Sequence, residues 1–440
     1  MRLFRKTSSL FIYTLFTFLY LSGCEIQTSS HNSEKVISLK ADHIDQISSS
    51  NKDNFDFKSI DLKGNDFSDL MFLKDILADK RIVMLGESSH GVAEYNQMKG
   101  RLIKFLHEEL DYNVVAFESG MTEVNLTNEL LLELDSITGM KKSLYNIWHT
   151  NNNTYLFKYI REQKSSSQPI NLVGFDMNST GTREGLLYDF FEDINLEYAK
   201  AIEIAEKEFY SLTQLGNPIP DERNKKLIDQ YKNLLSSLNE ENSNLARSLN
   251  ENIQQLFDKI FKQRLYLLSN IYNSSEEINY MNLRDKIMSE NLVWLLNELY
   301  PDEKFVVWGH NGHIMKNNSA TSNGWYVSMV EYLPESIKNE AYVIGLYMYS
   351  GKHKSLDIKE IVDVNTNHKT NSIEHRLNQS GYPVTFLNIN IKDDKTNSYW
   401  WNSEAIGKHD GRSDILFIPS EQYDGLILID KVSPPSYTLQ

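Results

Sequence analysis

RIVMLGESSHG, residues 81–91, joins a short apolar run to an acid and an imidazole. The run from Ile82 to Leu85 has the length and the β-branched content of a buried strand, and a glycine ends it. Beyond this turn, apolar residues recur at helical spacing, at Met98, Leu102, Ile103, Leu106 and Leu110. The sequence therefore predicts a tight strand-to-helix turn that carries Glu87 and His90.

A second apolar run, residues 112–117, follows this helix and ends in Glu118. Strand, helix and strand in this order predict a βαβ unit with parallel strands. The carboxyl ends of parallel strands meet at one edge of the sheet, where open α/β sheets bind their ligands. We therefore expect Glu87, His90 and Glu118 to lie together at that edge.

Two further apolar runs also end in ionisable residues. Residues 169–175 lead into Asp176, and residues 304–309 lead into His310 and, three positions later, His313. Four consecutive strand ends of this kind indicate a shared site, whereas a single polar strand end would be unremarkable. The pattern predicts an α/β fold with a mostly parallel central sheet flanked by helices.

Between the third and fourth runs the composition changes to helix-forming residues. Two stretches, residues 227–238 and 245–261, each hold one apolar face at helical spacing. They predict a long helical insertion, over about residues 190–300, that walls the substrate cleft. The alternative is a structural hairpin without ligand contact.

The N-terminal residues 1–24 have the features of a secretory signal, with basic residues first and an apolar run after them. Leu-Ser-Gly-Cys at residues 21–24 resembles a bacterial lipobox. Cleavage before Cys24 and lipidation of its sulfur would make an exported, lipid-anchored membrane lipoprotein of the cell envelope. An uncleaved membrane anchor is the alternative, although the apolar run is short for a full span.

The rest of the chain divides into a polar segment and a long domain. Residues 25–55 lack periodicity, which predicts a flexible tether, and residues 56–440 then form the main domain. The formal net charge of −15 argues against nucleic acid as a partner, because phosphate binding requires a basic face. Cys24 is the only cysteine, so the mature domain has no cysteine nucleophile and no internal disulfide.

His90 is the best candidate for a general base, because an imidazole titrates near neutrality and can take a proton from water. Glu87 or Glu118 would orient its other nitrogen. Ser88 and Ser89 share the turn, but the sequence is not the G-x-S-x-G of a serine-hydrolase elbow. Water is therefore the expected nucleophile.

Two cations follow on the helix after the turn. Lys99 or Arg101 could reach the sheet edge and bind a carboxylate or stabilise an oxyanion. The alternative is a solvated cationic face. We take Lys99, Arg101 and Asp176 as candidate substrate-binding residues.

His310 and His313 are interpreted as an acid/base or substrate-binding pair. With two glutamates nearby they could instead hold a metal ion, but the spacing lacks the H-E-x-x-H pattern, and we expect no metal or other cofactor. Glu94, Arg284 and Asp285 are interpreted as polar contacts that support helices. The remaining histidines considered are interpreted as structural or surface residues: His107, His149, His353, His368, His375 and His409.

An ordered set of motifs resembles the erythromycin esterase family over about residues 75–432. The set is Gly-Glu-Ser-Ser-His-Gly at 86–91 with Glu94 and Glu118, Gly-Phe-Asp at 174–176, Arg284-Asp285 with Met288 and Asn291, Trp-Gly-His-Asn-Gly-His at 308–313, and Tyr-Asp-Gly at 423–425. The family usually has arginine at the position of Lys99. The lipoprotein leader also differs from the better-known cytoplasmic resistance enzymes.

The resemblance implies an α/β fold with helical insertions and an esterase that opens a macrolide lactone with activated water, which inactivates the antibiotic. His90 would be the essential base, and the other catalytic residues would be Glu87, Glu118, His310 and His313. Two alternatives stay open. One is a metal-dependent hydrolase of another ester or amide at the cell envelope, and the other is a non-enzymatic binding lipoprotein.

Overall fold

The computed structural model describes residues 54–180, 185–213, 220–240, 244–272, 279–356, 358–390 and 399–438. The predicted signal segment, Cys24 and all but the last two residues of the predicted tether lie outside these ranges. Within them, no helix combines the length and the apolar composition that crossing a membrane requires.

The described residues form eleven strands. In chain order they are β1 (Asn54–Asp56), β2 (Ile82–Leu85), β3 (Val114–Gly120), β4 (Asn171–Asp176), β5 (Phe305–Trp308), β6 (Ala341–Lys354), β7 (Ile361–Asp363), β8 (Val384–Asn388), β9 (Ala405–His409), β10 (Ser413–Phe417) and β11 (Gly425–Val432).

Nine of these strands form one sheet, in the order β1-β8-β11-β6-β2-β5-β3-β4, with β7 paired to β6. Strands β11, β6, β2, β5, β3 and β4 pair in parallel, whereas β7, β8 and β1 pair antiparallel with their neighbours. Strands β9 and β10 form a separate antiparallel hairpin. The predicted α/β fold with a mostly parallel central sheet is confirmed.

The register of the central strands brings their carboxyl ends level. Leu85 of β2 aligns with Trp308 of β5, which in turn aligns with Phe117 of β3, and Phe117 aligns with Gly174 of β4. The predicted strands β2 and β3 are parallel, although β5 lies between them. The residues that follow these four strands therefore meet at one edge of the sheet.

The described helices flank this sheet. They are α1 (Leu73–Ile76), α2 (Ala93–Leu110), α3 (Met121–Leu130), α4 (Ser136–Ser143), α5 (Asn151–Gln163), α6 (Leu186–Phe191), α7 (Leu196–Thr213), α8 (Asp221–Leu238), α9 (Asn244–Ser248), α10 (Glu251–Tyr266), α11 (Tyr280–Trp294), α12 (Asn311–Ile314), α13 (Glu335–Glu340), α14 (Ile373–Asn378) and α15 (Pro419–Gln422).

Successive side chains of a strand point to opposite sides of the sheet, and all four side chains of β2 are buried. Both faces of this strand are therefore buried. Ile82 and Met84 belong to the apolar core that contains the helices after β4, whereas Val83 and Leu85 belong to the core under α2 and α5. Each fully buried aliphatic side chain contributes about 1.5–3 kcal/mol. Burial on both sides explains why this strand reads as one continuous apolar run.

The secondary-structure elements described between β4 and β5 are all helices. The buried pair Arg264–Glu206 joins α10 to α7, and Arg264 also donates to the carbonyl of Met177 just after β4. Helix α11 is tied to β4 because the side-chain amide of Asn291 donates to the carbonyl of Phe175 at 3.0 Å. This attachment brings the first turns of α11 to the carboxyl edge of the sheet.

Candidate active site

The turn after β2 holds an acid–imidazole pair. Nδ1 of His90 lies 2.6 Å from Oε1 of Glu87, which also accepts a hydrogen bond from the indole N–H of Trp148 at 3.1 Å. The side chain of Glu87 is fully buried, whereas 17% of the His90 side chain is exposed. Burial raises the pKa of Glu87, but Lys99 and His90 outweigh this effect and lower it overall. The carboxylate is therefore ionised.

Lys99 of α2 completes this part of the site. Its Nζ lies 2.8 Å from Oε2 of Glu87, donates to the carbonyl of Gly309 at 3.2 Å, and lies 4.4 Å from the centre of the Trp308 ring. Burial lowers the pKa of Lys99 to about 8, although Glu87 opposes the change. We call Glu87, His90 and Lys99 the His90 group.

A second set of charges lies around Arg284 of α11. Its Nη2 lies 2.6 Å from Oδ2 of Asp176 and 2.8 Å from Oε1 of Glu118. The hydroxyl of Tyr145 donates to the same Asp176 oxygen at 2.9 Å. Burial alone would lower the pKa of Arg284, but the two carboxylates raise it well above its usual value. The guanidinium therefore forms ion pairs with both acids.

His313 lies between the acids of this second set. Its Nδ1 is 2.8 Å from Oδ1 of Asp285, and its Nε2 is 2.9 Å from Nη1 of Arg284 and 3.2 Å from Oε1 of Glu118. Burial lowers the pKa of His313, but Asp285 and Glu118 outweigh it and raise the pKa to about 10. We call Glu118, Asp176, Arg284, Asp285 and His313 the Arg284 group.

His310 connects the two groups. Its backbone N–H donates to Oε2 of Glu118 at 2.8 Å, and its ring centre lies 4.9 Å from that of His90. Its Nδ1 accepts the backbone N–H of Gly312 at 3.1 Å at the start of α12. Burial, with His90 next in importance, lowers the pKa of His310 well below its usual value. The ring is therefore neutral and carries its proton on Nε2.

The arrangement leaves one imidazole nitrogen free to accept a proton. Because the ionised Glu87 binds Nδ1 of His90, the neutral ring has its proton there and its lone pair on Nε2. No group among the described residues is hydrogen bonded to that Nε2. His90 can therefore act as a base toward a molecule at the sheet edge, with the Nε2–H of His310 available as a donor beside it.

The residues considered as metal ligands have other partners. Within the described parts of the chain, no three His, Cys, Asp or Glu side chains are arranged to hold a metal ion. His313 is bound to Asp285 through one ring nitrogen, and a guanidinium lies against the other. A metal ion at His310 and His313 would have to displace these contacts.

A family model described as "Erythromycin esterase" matches residues 107–432. This chain belongs to the erythromycin esterase family. "Putative hydrolase YbfO" of Bacillus subtilis (strain 168) is 33% identical over 390 residues, which cover 83% of this chain and 87% of that protein. "Erythromycin esterase type II" of Escherichia coli is 24% identical, over 66% of this chain and 74% of that protein.

A solved structure of an erythromycin esterase shows the same fold. The mutant EreC in its open conformation superposes with a TM-score of 0.60 at 17% identity, over 88% of this chain and 100% of that chain. Together, the family and the relative described as a hydrolase indicate a hydrolytic enzyme with a small-molecule substrate.

Most residues expected in the erythromycin esterase site do lie together. Both groups and His310 meet at the carboxyl edge, and they include the expected residues Glu87, His90, Lys99, Glu118, Asp176, His310 and His313.

Arg101 does not reach this site, so the prediction of its substrate contact is wrong. Its guanidinium is buried against Asp69, at 2.7 Å and 3.1 Å, and donates to the backbone carbonyls of Ser59 and Asp66. Arg101 therefore attaches α2 to the segment before it, and Lys99 is the cation of α2 that faces the site.

Three residues of the site were interpreted differently from the sequence. The interpretation of Arg284 and Asp285 as helix-supporting contacts is incomplete, because they hold Glu118, Asp176 and His313. The interpretation of His409 as a structural or surface residue is also incomplete, because its ring lies 5.4 Å from that of His310.

Proposed function

We propose that this protein is an esterase that opens the lactone ring of a macrolide with a water molecule activated by His90. The observation that carries the proposal is the Glu87–His90 pair, with a buried, ionised acid on one ring nitrogen and no partner from the described part of the chain on the other. A neutral imidazole held in this way is suited to general-base catalysis. The family and the name of the Escherichia coli relative support an ester as substrate.

In the first step of this mechanism, Nε2 of His90 removes a proton from water as the water attacks the lactone carbonyl. Glu87 stabilises the imidazolium that forms, and Lys99 keeps Glu87 ionised. The Nε2–H of His310 lies next to this base and donates to the oxyanion. Collapse of the tetrahedral intermediate breaks the C–O bond, and the proton from His90 passes to the leaving alkoxide.

The Arg284 group would act as a fixed electrostatic frame. Glu118 binds the backbone N–H of His310, so the contacts of Arg284 and His313 with Glu118 determine where His310 lies. These charges are already paired before substrate arrives. They therefore need no rearrangement during the reaction, which is the feature of a preorganised site.

Aromatic side chains beside the site fit a large apolar substrate. The ring of Tyr326 lies 6.1 Å from that of His313, and Trp325 packs 4.8 Å from Tyr326 while 54% of it is exposed. Ligand sites are mostly apolar with few polar anchors. A macrolide ring provides matching apolar surface.

The test is mass spectrometry of erythromycin incubated with the purified domain. The expected product is the substrate plus one water, and turnover in ¹⁸O-water should place the label in the new carboxylate. Activity that a chelator abolishes and a divalent metal restores would favour the metal-dependent alternative. Hydrolysis of another ester, with no hydrolysis of any macrolide, would contradict the proposed substrate and retain the mechanism.

We also propose that Cys24 carries a lipid that anchors the enzyme to a membrane of the cell envelope. The lipobox-like sequence at residues 21–24 supports this proposal. Cys24→Ser should release or mislocalise the protein and leave the folded domain unchanged, which cell fractionation would measure. Unchanged membrane association of the variant would contradict the anchor.

A further inference from the structure

The β9–β10 hairpin extends the site beyond the two groups described above. His409 is the last residue of β9 and is half-buried. Its ring lies 5.4 Å from that of His310, at an angle of 77°, so the two imidazoles pack edge to face. His310 therefore contacts His90 through one part of its ring and His409 through another.

The residue after His409 fastens the hairpin to the catalytic turn. Asp410 has a left-handed backbone conformation, with φ of 50°, and its backbone N–H donates to the carbonyl of Ser88 at 2.8 Å. Aspartate tolerates this conformation better than most residues do. Since Ser88 directly follows Glu87, the positions of His409 and of the His90 group are linked through one hydrogen bond.

The side chain of Asp410 strengthens this attachment. Its Oδ2 accepts a hydrogen bond from the hydroxyl of Ser355 at 2.5 Å, and its Oδ1 lies 3.3 Å from Nε2 of the fully buried His353. Ser355 directly follows β6, a central strand of the sheet. The turn of the hairpin is thus held by the catalytic turn and by the end of β6.

We propose that His409 is a positioning residue that fixes the ring orientation of His310. Among the described residues, one ring nitrogen of His310 is held by a backbone hydrogen bond and the other has no hydrogen-bond partner, so the direction of its Nε2–H depends on what packs against the ring. The ring of His409, which packs edge to face with that of His310, supplies such packing, and Asp410 holds in place the turn that follows His409. The catalytic consequence rests on the proposed function, in which this N–H donates to the oxyanion.

Two variants distinguish the contribution of the His409 ring from that of its nitrogens. His409→Phe keeps an aromatic edge and removes the nitrogens, whereas His409→Gln keeps hydrogen-bonding capacity and removes the ring. Positioning by ring packing predicts near-normal kcat for His409→Phe. It predicts a loss of about tenfold for His409→Gln with KM nearly unchanged, because small displacements of a catalytic group are costly in rate.

A second readout needs no substrate. Long-range ¹H–¹⁵N spectra of the imidazoles should show shifted ring signals of His310 in His409→Gln and near-native signals in His409→Phe. His375→Gln is the matched control, because among the described residues the side chain of His375 is hydrogen bonded only to Gln379, the residue that follows its own helix. It should change neither kcat nor the His310 signals.

Two results would overturn the proposal. The first is an unchanged His310 spectrum in a folded His409→Gln variant. The second is an equal loss of kcat in His409→Phe and His409→Gln, which would assign the effect to a nitrogen of His409. If the protein hydrolyses no macrolide, the proposed function fails, but the spectra still decide whether His409 orients His310.

Discussion

The two charged groups of the site differ in whether their histidine can exchange a proton with a bound molecule. In the His90 group, one carboxylate binds one lysine and one imidazole, and part of that imidazole is exposed. In the Arg284 group, three carboxylates surround one guanidinium and one imidazole, and all five side chains are at least 88% buried. The first group can exchange a proton with a bound molecule, whereas the charged side chains of the second are paired with one another.

This difference separates proton transfer from electrostatic support. Both groups contain a histidine bound to a buried acid, but only His90 has a ring nitrogen without a described partner. A histidine–carboxylate pair alone therefore does not identify a base. The free ring nitrogen at the sheet edge identifies the base. Substitutions in the two groups should therefore have different effects on activity and stability.

The largest effect is expected for Arg284→Met, which leaves Glu118 and Asp176 as buried anions without their common cation. Breaking a buried pair in this way costs about 3–5 kcal/mol, so the free energy of unfolding should fall by that order and activity should be lost. Chemical denaturation measures the change. Arg247→Met on the exposed surface is the control and should be neutral. A free energy of unfolding in Arg284→Met equal to that of the wild type would contradict the supporting role of the Arg284 group, and with it the distinction between the two groups.

A smaller effect, of opposite sign in the two groups, should appear in the pH dependence of stability. The folded-state pKa of Lys99 is lowered from 10.5 to about 8. Between these values the unfolded chain holds more protons, so the Lys99 contribution to stability rises with pH, by up to about 3 kcal/mol. The pKa of His313 is raised from 6.5 to about 10. Its contribution is complete below pH 6.5 and is lost as the pH rises through 10.

Denaturation of the wild type, Lys99→Arg and His313→Asn at several pH values between 6.5 and 10 would measure these contributions. The stability of the wild type relative to Lys99→Arg should increase above pH 8. Its stability relative to His313→Asn should decrease over the same range. Two differences that change with pH in the same direction would refute the assignment of charge to one or both groups.

The smallest effect on turnover is expected for Arg101→Met. This substitution breaks the buried pair with Asp69 and should lower stability by a few kcal/mol. The kcat of the folded fraction should stay at the wild-type value, since the guanidinium lies outside the site. Lys99→Met, two residues earlier on the same helix, should lower kcat. A lowered kcat in Arg101→Met, measured on fully folded enzyme, would contradict the separation of these two cations.

The sequence was sufficient to predict which residues lie at the carboxyl edge of the sheet, because each of them comes shortly after an apolar run in the chain. A buried parallel strand reads as an apolar run, and the residue after it must lie at the edge, which located Glu87, Glu118, Asp176 and His310. Lys99 and Arg101 are two residues apart on a helix and cannot share a face. Which of the two reaches the site depends on how α2 packs against the sheet, so both were candidates from the sequence.

Residues from distant elements could not be located in this way. Arg284 reaches Asp176 across 108 positions of sequence, and no periodic pattern indicates which face of α11 meets the sheet edge. His409 lies in a hairpin outside the main sheet, and its contact with His310 depends on the backbone bond from Asp410 to Ser88. Tertiary packing decides both placements.

The central claim, that His90 is the base and not a structural residue, is tested most directly by His90→Gln. Its kcat and its free energy of unfolding should be measured on the same preparation, with His375→Gln as control. Removal of a positioned general base predicts a loss of about 10²–10⁴ in kcat. Loss of the hydrogen bond to the ionised Glu87 predicts a fall of about 1.5–3 kcal/mol in the free energy of unfolding. A folded His90→Gln enzyme with near-normal turnover would contradict the account.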